Sequence, residues 1–241
     1  MRHLYADCVE VPEEVQIVIV DDDPLVRQAL RVFTEGEDGF EVVGEACDGV
    51  EAVDVVRRTQ PDVVLMDLRL PAMSGVVATK CIVSRWPTIR VLAVTTLSPQ
   101  GSVVPALRSG ASGYSVKDIG AEQIVRAIWE TAKGQSVLSP AITGEVILSV
   151  LEDPECHIPS DEAASCALTE RELSLVQLIA KGHSSAEIAE PLFLSGATVK
   201  SYLQNIMHKW QVRDRVQVLI RAASSNLVTL TDSRKLSLEY Y

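Results

Sequence analysis

From residue 16 to residue 135 the chain alternates short apolar runs with amphipathic stretches. The runs cover 16–20, 40–46, 62–66, 90–95 and 113–116 and are rich in Val, Ile and Leu. Such runs, apolar throughout at 17–20 and 63–66, predict the strands of a sheet covered on both faces. The segments between them, 24–36, 49–59, 74–85, 101–109 and 120–133, place apolar residues at helical spacing. Strands separated by helices predict right-handed crossovers and a parallel sheet covered on both sides. The fold class expected here is α/β, a doubly wound five-stranded parallel sheet. Pro99, Gly101 and Pro105 crowd the fourth helical segment, which predicts a helix that is short or starts late.

The pattern changes after residue 135. Ser139-Pro140 can start a helix through about residue 151. Residues 152–167 then lose periodicity and contain Pro154 and Pro159, which reads as a linker. From Leu168 the pattern is helical again. Thr169 to Glu172 has the form of a capping box. Short helices are predicted at 185–193, 196–210 and 213–223, with Leu194-Ser195 as a tight turn. Two helices joined by a short turn inside a small bundle predict a four-helix helix-turn-helix domain. Pro191 falls inside the first of these two helices, where it is expected to remove a hydrogen bond and kink the helix. The expected organisation is a first domain at 15–135, a linker at 136–167 with a helix at 140–151, a second domain at 168–228 and a tail at 229–241.

Composition changes this picture little. Of 241 residues, 47% are hydrophobic and 23% charged, an ordinary globular balance. There is no apolar run of membrane-spanning length and no signal-peptide pattern at the start, so the chain is expected in the cytoplasm, away from membranes. The five cysteines, at 8, 47, 81, 156 and 166, show no metal-ligand spacing and read as scattered reduced thiols. The net charge of −11 argues at first against a nucleic-acid partner. The charge is uneven, however. Residues 136–167 carry six acidic and no basic side chains, whereas 168–229 carry seven basic and five acidic, a net +2. The acidity therefore does not exclude DNA binding by the C-terminal part.

Candidate chemistry lies at the strand ends. Asp21, Asp22 and Asp23 follow the first run, and Asp67 follows the third. Ligands of open parallel sheets sit beyond the carboxyl ends of the strands. Adjacent first and third strands would bring Asp21, Asp22 and Asp67 together. Three such carboxylates repel one another, and a hard divalent cation such as Mg²⁺ relieves the repulsion. Asp23 before Pro24 reads instead as a helix N-cap with Pro at N1. Thr95-Thr96 ends the fourth strand and offers a hydroxyl. Lys117 follows the fifth strand and offers an ammonium. Carboxylates, hydroxyl, Lys and Mg²⁺ together make a phosphoryl-binding site, in which a carboxylate can be the nucleophile.

In the helix at 196–210, Val199, Leu203, Ile206 and Trp210 recur at i, i+4, i+7 and i+11 and must face a core. The opposite face carries Lys200, Ser201, Gln204 and His208, flanked by Tyr202, Asn205 and Lys209, which can reach base edges and phosphates.

These motifs resemble a known family. Val20-Asp21-Asp22-Asp23-Pro24, Leu65 to Gly75, Val94-Thr95-Thr96 and Gly110 to Asp118 look like the receiver domain of bacterial response regulators. Leu168 to Glu172, Glu187-Ile188-Ala189 and Ala197-Thr198-Val199-Lys200 resemble the LuxR-type helix-turn-helix. Together they resemble the NarL/FixJ two-component regulators over roughly residues 15–228. The resemblance implies a flavodoxin-like receiver with strand order 2-1-3-4-5. It implies Asp67 as phosphoacceptor, with Mg²⁺ held by Asp22, Asp67, Asp21 directly or through water, and the main-chain carbonyl of Arg69. Thr95 and Lys117 would bind phosphoryl oxygens, and Thr95 and Tyr114 would form a switch pair. Lys200, Ser201 and Gln204 would face bases, within a DNA-binding set that includes Thr198, Tyr202, Asn205 and Lys209. The implied partners are a sensor histidine kinase, double-stranded promoter DNA and a second copy of the chain. The implied activity is a transcription factor rather than an enzyme, with at most slow autodephosphorylation. Gln211 stands where the family usually has Gly after the recognition helix.

Two other readings compete. One is a DNA-binding regulator controlled by a ligand or protein partner without phosphorylation. The other is a phosphohydrolase with an Asp nucleophile, but such enzymes carry a second Asp two residues on, and here that position is Arg69.

Overall fold

The computed structural model describes residues 14–95, 99–117, 120–136, 138, 140–152 and 168–228. The linker expected at 152–167 lies, beyond Glu152, outside the described residues, as do Thr96 and the tail from 229. The chain divides into two compact units, one formed by residues up to 98 with 114–135, the other by 99–113 with the residues from 136 onward.

The first unit is built on the five-stranded parallel sheet, in the order β2-β1-β3-β4-β5. Its strands are β1 (Val15–Val20), β2 (Phe40–Ala46), β3 (Val63–Met66), β4 (Arg90–Thr95) and β5 (Gly113–Val116). The doubly wound fold expected from the alternation is thus the fold observed. Its cause is visible in β1, where alternate residues serve two cores. Val18 and Val20 pack with Ala52, Val55, Val56 and Ile82 on one face. Ile17 and Ile19 pack with Leu30, Phe40, Ile124 and Ile128 on the other. The first set comes from α2 (Gly49–Thr59) and α3 (Gly75–Arg85), the second mainly from α1 (Pro24–Glu35) and α5 (Ala121–Ala132). Each of α1, α2 and α3 begins at a side-chain cap, Asp23, Asp48 and Ser74 respectively, which satisfies amide groups that the helix itself leaves unpaired.

The second unit contains α4 (Pro99–Arg108), α6 (Pro140–Leu151), α7 (Glu170–Ile179), α8 (Ser185–Ala189), α9 (Gly196–Trp210) and α10 (Arg215–Ser224). Helix α6 packs against both α4 and α10, with Val146, Ile147 and Val150 at 1% exposure or less. A predominantly apolar helix such as this needs cover on more than one side.

Two proline-based expectations fail. Helix α4 is neither short nor late, because Pro99 occupies its first position, where a fixed φ is favourable. Pro105 removes one internal hydrogen bond, and burial of Val103, Val104, Ala106 and Leu107 outweighs that loss. Helix α8 ends at Ala189 rather than at 193, so Pro191 lies beyond it and kinks nothing. Pro191 has no N–H to continue the ladder. The chain closes instead through Phe193 N–H to the Glu190 carbonyl and Leu194 N–H to the Ala189 carbonyl, with Phe193 at φ 53°, the geometry of a Schellman turn. The last helix starts at Arg215, two residues later than expected, because Asp214 caps it.

Candidate functional site

The register of the sheet assembles an acid cluster. Val20 pairs with Met66 across β1 and β3, and the Asp67 amide donates to the Val20 carbonyl at 2.9 Å. Asp21 and Asp67 therefore leave neighbouring strands at the same level. One oxygen from each of Asp21, Asp22 and Asp67 lies within 4.8 Å of the others. Asp21 is 1% exposed and Asp67 5%, while Asp22 is open to solvent. Helix α3 starts so close to this turn that a Cβ at Gly75 would collide with the Asp67 carbonyl. Only glycine fits there.

The three consecutive acids divide their work. The Asp23 carboxylate accepts the Leu25 amide at 2.8 Å and caps α1, while the Asp23 amide donates to Asp21 Oδ1 at 3.0 Å. The cap thus orients the cluster without joining it. Lys117 supplies the counter-charge. Its backbone amide donates to the Thr95 carbonyl at 2.8 Å, which places the side chain over the strand ends. Its ammonium donates to Asp67 Oδ2 at 2.7 Å and forms an ion pair with Asp21 Oδ2 at 2.5 Å. Asp21 Oδ2 has no aligned hydrogen-bond donor, only that ion-pair contact. Burial pushes the Asp21 carboxyl above the usual carboxylate range, against the pull of Lys117 and the Asp23 amide. Burial alone would lower the Lys117 ammonium, but Asp21 and Asp67 together hold it above its ordinary value. Three carboxylates facing one ammonium leave negative charge uncompensated. An all-oxygen donor set in which two buried carboxylates share one ammonium suits a hard divalent cation.

The remaining site residues are placed less closely. The Arg69 amide donates to Asp67 Oδ1 at 3.2 Å, setting Arg69 beside the cluster. Thr95 is buried at the carboxyl end of β4. Tyr114 is half-buried in β5, and burial raises its phenol. Among the described residues, no hydrogen bond joins the Thr95 or Tyr114 side chain to the cluster. Arg27 was not anticipated from the sequence. Its Nη1 donates to the main-chain carbonyls of Asp21 at 2.7 Å and Asp22 at 3.4 Å. The one available signal was its place one turn after the Asp23 cap.

In the second unit, α9 buries Val199, Leu203, Ile206 and Trp210, the expected stripe. Lys200, Ser201 and Asn205 are exposed, and Tyr202 and Gln204 half-buried. Thr198 is occupied locally: Ser195 Oγ accepts its amide at 3.1 Å, and the two hydroxyls lie 2.9 Å apart. Ser201 donates its hydroxyl to the Ala197 carbonyl at 3.2 Å. Lys209, itself exposed, donates to Glu172 Oε2 of α7 at 2.7 Å. The same oxygen accepts the Thr169 amide at 2.7 Å and the Thr169 hydroxyl at 2.9 Å. Burial would raise the Glu172 carboxyl, but Lys209 and Thr169 outweigh it and hold it below its ordinary value. Gln211 closes α9 at φ 52°, a left-handed conformation that glycine would adopt with less strain, and its side chain donates to the His208 carbonyl at 2.7 Å. Among the described residues no helix is long and apolar enough to cross a membrane.

Comparison with known proteins places both units. Residues 17–129 match the response regulator receiver domain, and residues 166–222 match the bacterial regulatory proteins of the luxR family. The chain is 39% identical over 213 residues to the uncharacterized transcriptional regulatory protein YhcZ of Bacillus subtilis (strain 168), covering 88% of this chain and 97% of that one. It is 35% identical to the transcriptional regulatory protein LiaR of the same strain, covering 89% and 99%. A solved two-component response regulator of the LuxR family from Aurantimonas sp. SI85-9A1 is 36% identical, with a TM-score of 0.52, and covers 58% of this chain and 99% of its own.

Proposed function

Because this chain belongs to the response regulators that join a receiver to a LuxR-type DNA-binding domain, we propose that phosphorylation of Asp67 by a sensor histidine kinase controls its binding to promoter DNA. The domain limits that go with this reading are 15–135 for the receiver and 168–228 for the DNA-binding part, joined by 136–167. What supports it most directly is Lys117, whose ammonium bridges two buried carboxylates at the ends of β1 and β3.

A carboxylate oxygen of Asp67 attacks the phosphorus of a phosphohistidine. An O–P bond forms, the P–N bond breaks, and the imidazole leaves with the electron pair. Lys117 and the Thr95 hydroxyl receive phosphoryl oxygens, and burial keeps water from competing with these partners. Asp22, Asp67, Asp21 directly or through water, and the Arg69 carbonyl would hold Mg²⁺, which neutralises charge on the phosphoryl oxygens when bound. Recruitment of the Thr95 hydroxyl draws the Tyr114 ring inward, and this change frees or pairs the DNA-binding domains. Slow loss of the phosphoryl group to water resets the protein.

Helix α9 enters the major groove. Lys200, Ser201 and Gln204 meet bases, and Tyr202 and Asn205 flank them. Thr198 and Lys209 serve by capping and holding the helix. A net charge of +2 over 168–229 supports only weak binding by one copy, so a homodimer pairing through α10 on two half-sites is the active form. The protein acts in the cytoplasm.

The test is labelling by acetyl phosphate with Mg²⁺. Wild-type protein should be labelled and should bind promoter fragments more tightly when labelled, and Asp67→Asn should do neither. Equal labelling of both proteins would refute Asp67 as the acceptor. Labelling without any change in DNA binding would favour a regulator governed by a ligand or partner.

A further inference from the structure

We propose that Arg27 is a positioning residue for the divalent-cation site, acting through the backbone of Asp21 and Asp22; the proposal rests on the cation reading given above. The acid turn has two sides. Lys117 engages its carboxylates, whereas Arg27 engages its main chain, through Nη1 to the Asp21 and Asp22 carbonyls. Arg27 Nε contacts Glu45 Oε2 on β2 at 3.3 Å. Glu45 is fixed in turn by Arg31 at 2.6 Å, and Arg31 by Glu35 at 2.5 Å. A relay of charges thus runs from the surface of α1 through β2 to the two carbonyls. A guanidinium suits the task, because its rigid planar fork serves a carboxylate and a carbonyl at once, which a lysine ammonium on a flexible stem does poorly.

Charge and position make opposite demands on Arg27. As a charge, it repels an incoming dication, so its removal would tighten cation binding. As a brace, it fixes the peptide units from which Asp21 and Asp22 project, so its removal loosens their carboxylates. Partners that orient metal ligands in this indirect way typically contribute a factor of about 10–100 in affinity. The sign of the change in Mg²⁺ affinity therefore decides between the two roles, independently of any phosphorylation assay.

The experiment is Mg²⁺ titration of the full chain by calorimetry, with manganese-induced broadening of backbone amide signals as a second readout. Arg27→Gln should weaken Mg²⁺ binding about tenfold, and Arg27→Lys should recover part of the loss. Arg31→Gln shares Glu45 but touches neither carbonyl, so it should stay near wild type. Arg27→Lys keeps a charge and a similar volume, so the series still decides the question if Arg27→Gln does not fold. Unchanged or tighter binding in Arg27→Gln, full recovery with lysine, or equal weakening in Arg31→Gln would each overturn the proposal. Failure of the wild-type chain to bind Mg²⁺ would overturn the cation reading itself, and the proposal with it.

Discussion

Replacing Asp21 by Asn should stabilise the cation-free protein while weakening its cation site. Each neighbouring carboxylate, with oxygens within 4.8 Å, repels an ionised Asp21 by about 3.5 kcal/mol at an effective dielectric constant of about 20. Lys117, at 2.5 Å, returns about 6.6 kcal/mol on the same scale. Solvent screens the exposed Asp22 further, so Lys117 outweighs the repulsion yet falls short of the burial cost of a group that is 1% exposed. Asn retains the Oδ1 that accepts the Asp23 amide and removes the charge. Asp67 still pairs Lys117 at 2.7 Å, so the change leaves no unpaired buried charge of the costly kind, and relief of buried charge in such a site gains about 1–4 kcal/mol. The lost Lys117 contact places the variant in the lower half of that range, about 1–2 kcal/mol. The pH dependence has a definite sign. The Asp21 carboxyl is raised in the fold, so its destabilising effect is absent below the ordinary value of about 3.9. The effect grows as pH rises through the folded value. Urea unfolding in chelator should therefore show Asp21→Asn ahead at pH 7 and level with wild type near pH 3. Added Mg²⁺ should stabilise wild type more than the variant. A variant no more stable than wild type at pH 7, or a gain that persists undiminished at low pH, would refute the reasoning.

Three further outcomes follow from the geometry. Lys209→Met should cost the C-terminal unit about 1–2 kcal/mol, a modest figure because the Lys209 side chain is 37% exposed and screened by water, and it should weaken DNA binding. Glu172 is held below its ordinary value, so this stabilisation is present above the unfolded carboxylate value and disappears as pH falls through the folded one; a gap between wild type and variant that survives at low pH would contradict the assignment. Gly196→Ala should raise stability by about 0.5–1 kcal/mol, because an added Cβ meets nothing within 4 Å at the first position of α9, and a lower melting temperature would count against it. Gly75→Ala should cost about 3 kcal/mol, because α3 must retreat from the Asp67 carbonyl; unchanged stability together with unchanged Mg²⁺ binding would show that the close approach is unnecessary.

The sheet was legible because β1 and β3 are buried on both faces, so Ile17 to Val20 and Val63 to Met66 read as unbroken apolar runs. The acid cluster was legible for the same reason: strand ends can be counted, and adjacent parallel strands bring Asp21, Asp22 and Asp67 to one edge. The prolines misled because residue type does not state position. Pro99 at the first turn of a helix is favourable, whereas the same residue in the interior is not, and Pro191 falls just beyond a helix that ended sooner than its pattern suggested. Arg27 was invisible because its partners are carbonyl oxygens, which every residue possesses. Lys209 lies on the polar side of α9 by spacing alone, yet its long stem reaches the buried Glu172. Gln211 was legible as a departure from glycine, and the chain accepts the left-handed cap regardless.

The oxygen that Glu172 shares between Thr169 and Lys209 has a consequence for rotational phase. Helix α9 is 15 residues long, about 22 Å from end to end. Successive side chains around it differ by about 100°, so a slip of one residue would swing Lys200 and Gln204 to another side of the axis. The grip on Lys209, near the last turn, fixes that phase from the end opposite to Lys200. The face that carries Lys200 and Gln204 is thus clocked by a carboxylate on a different helix.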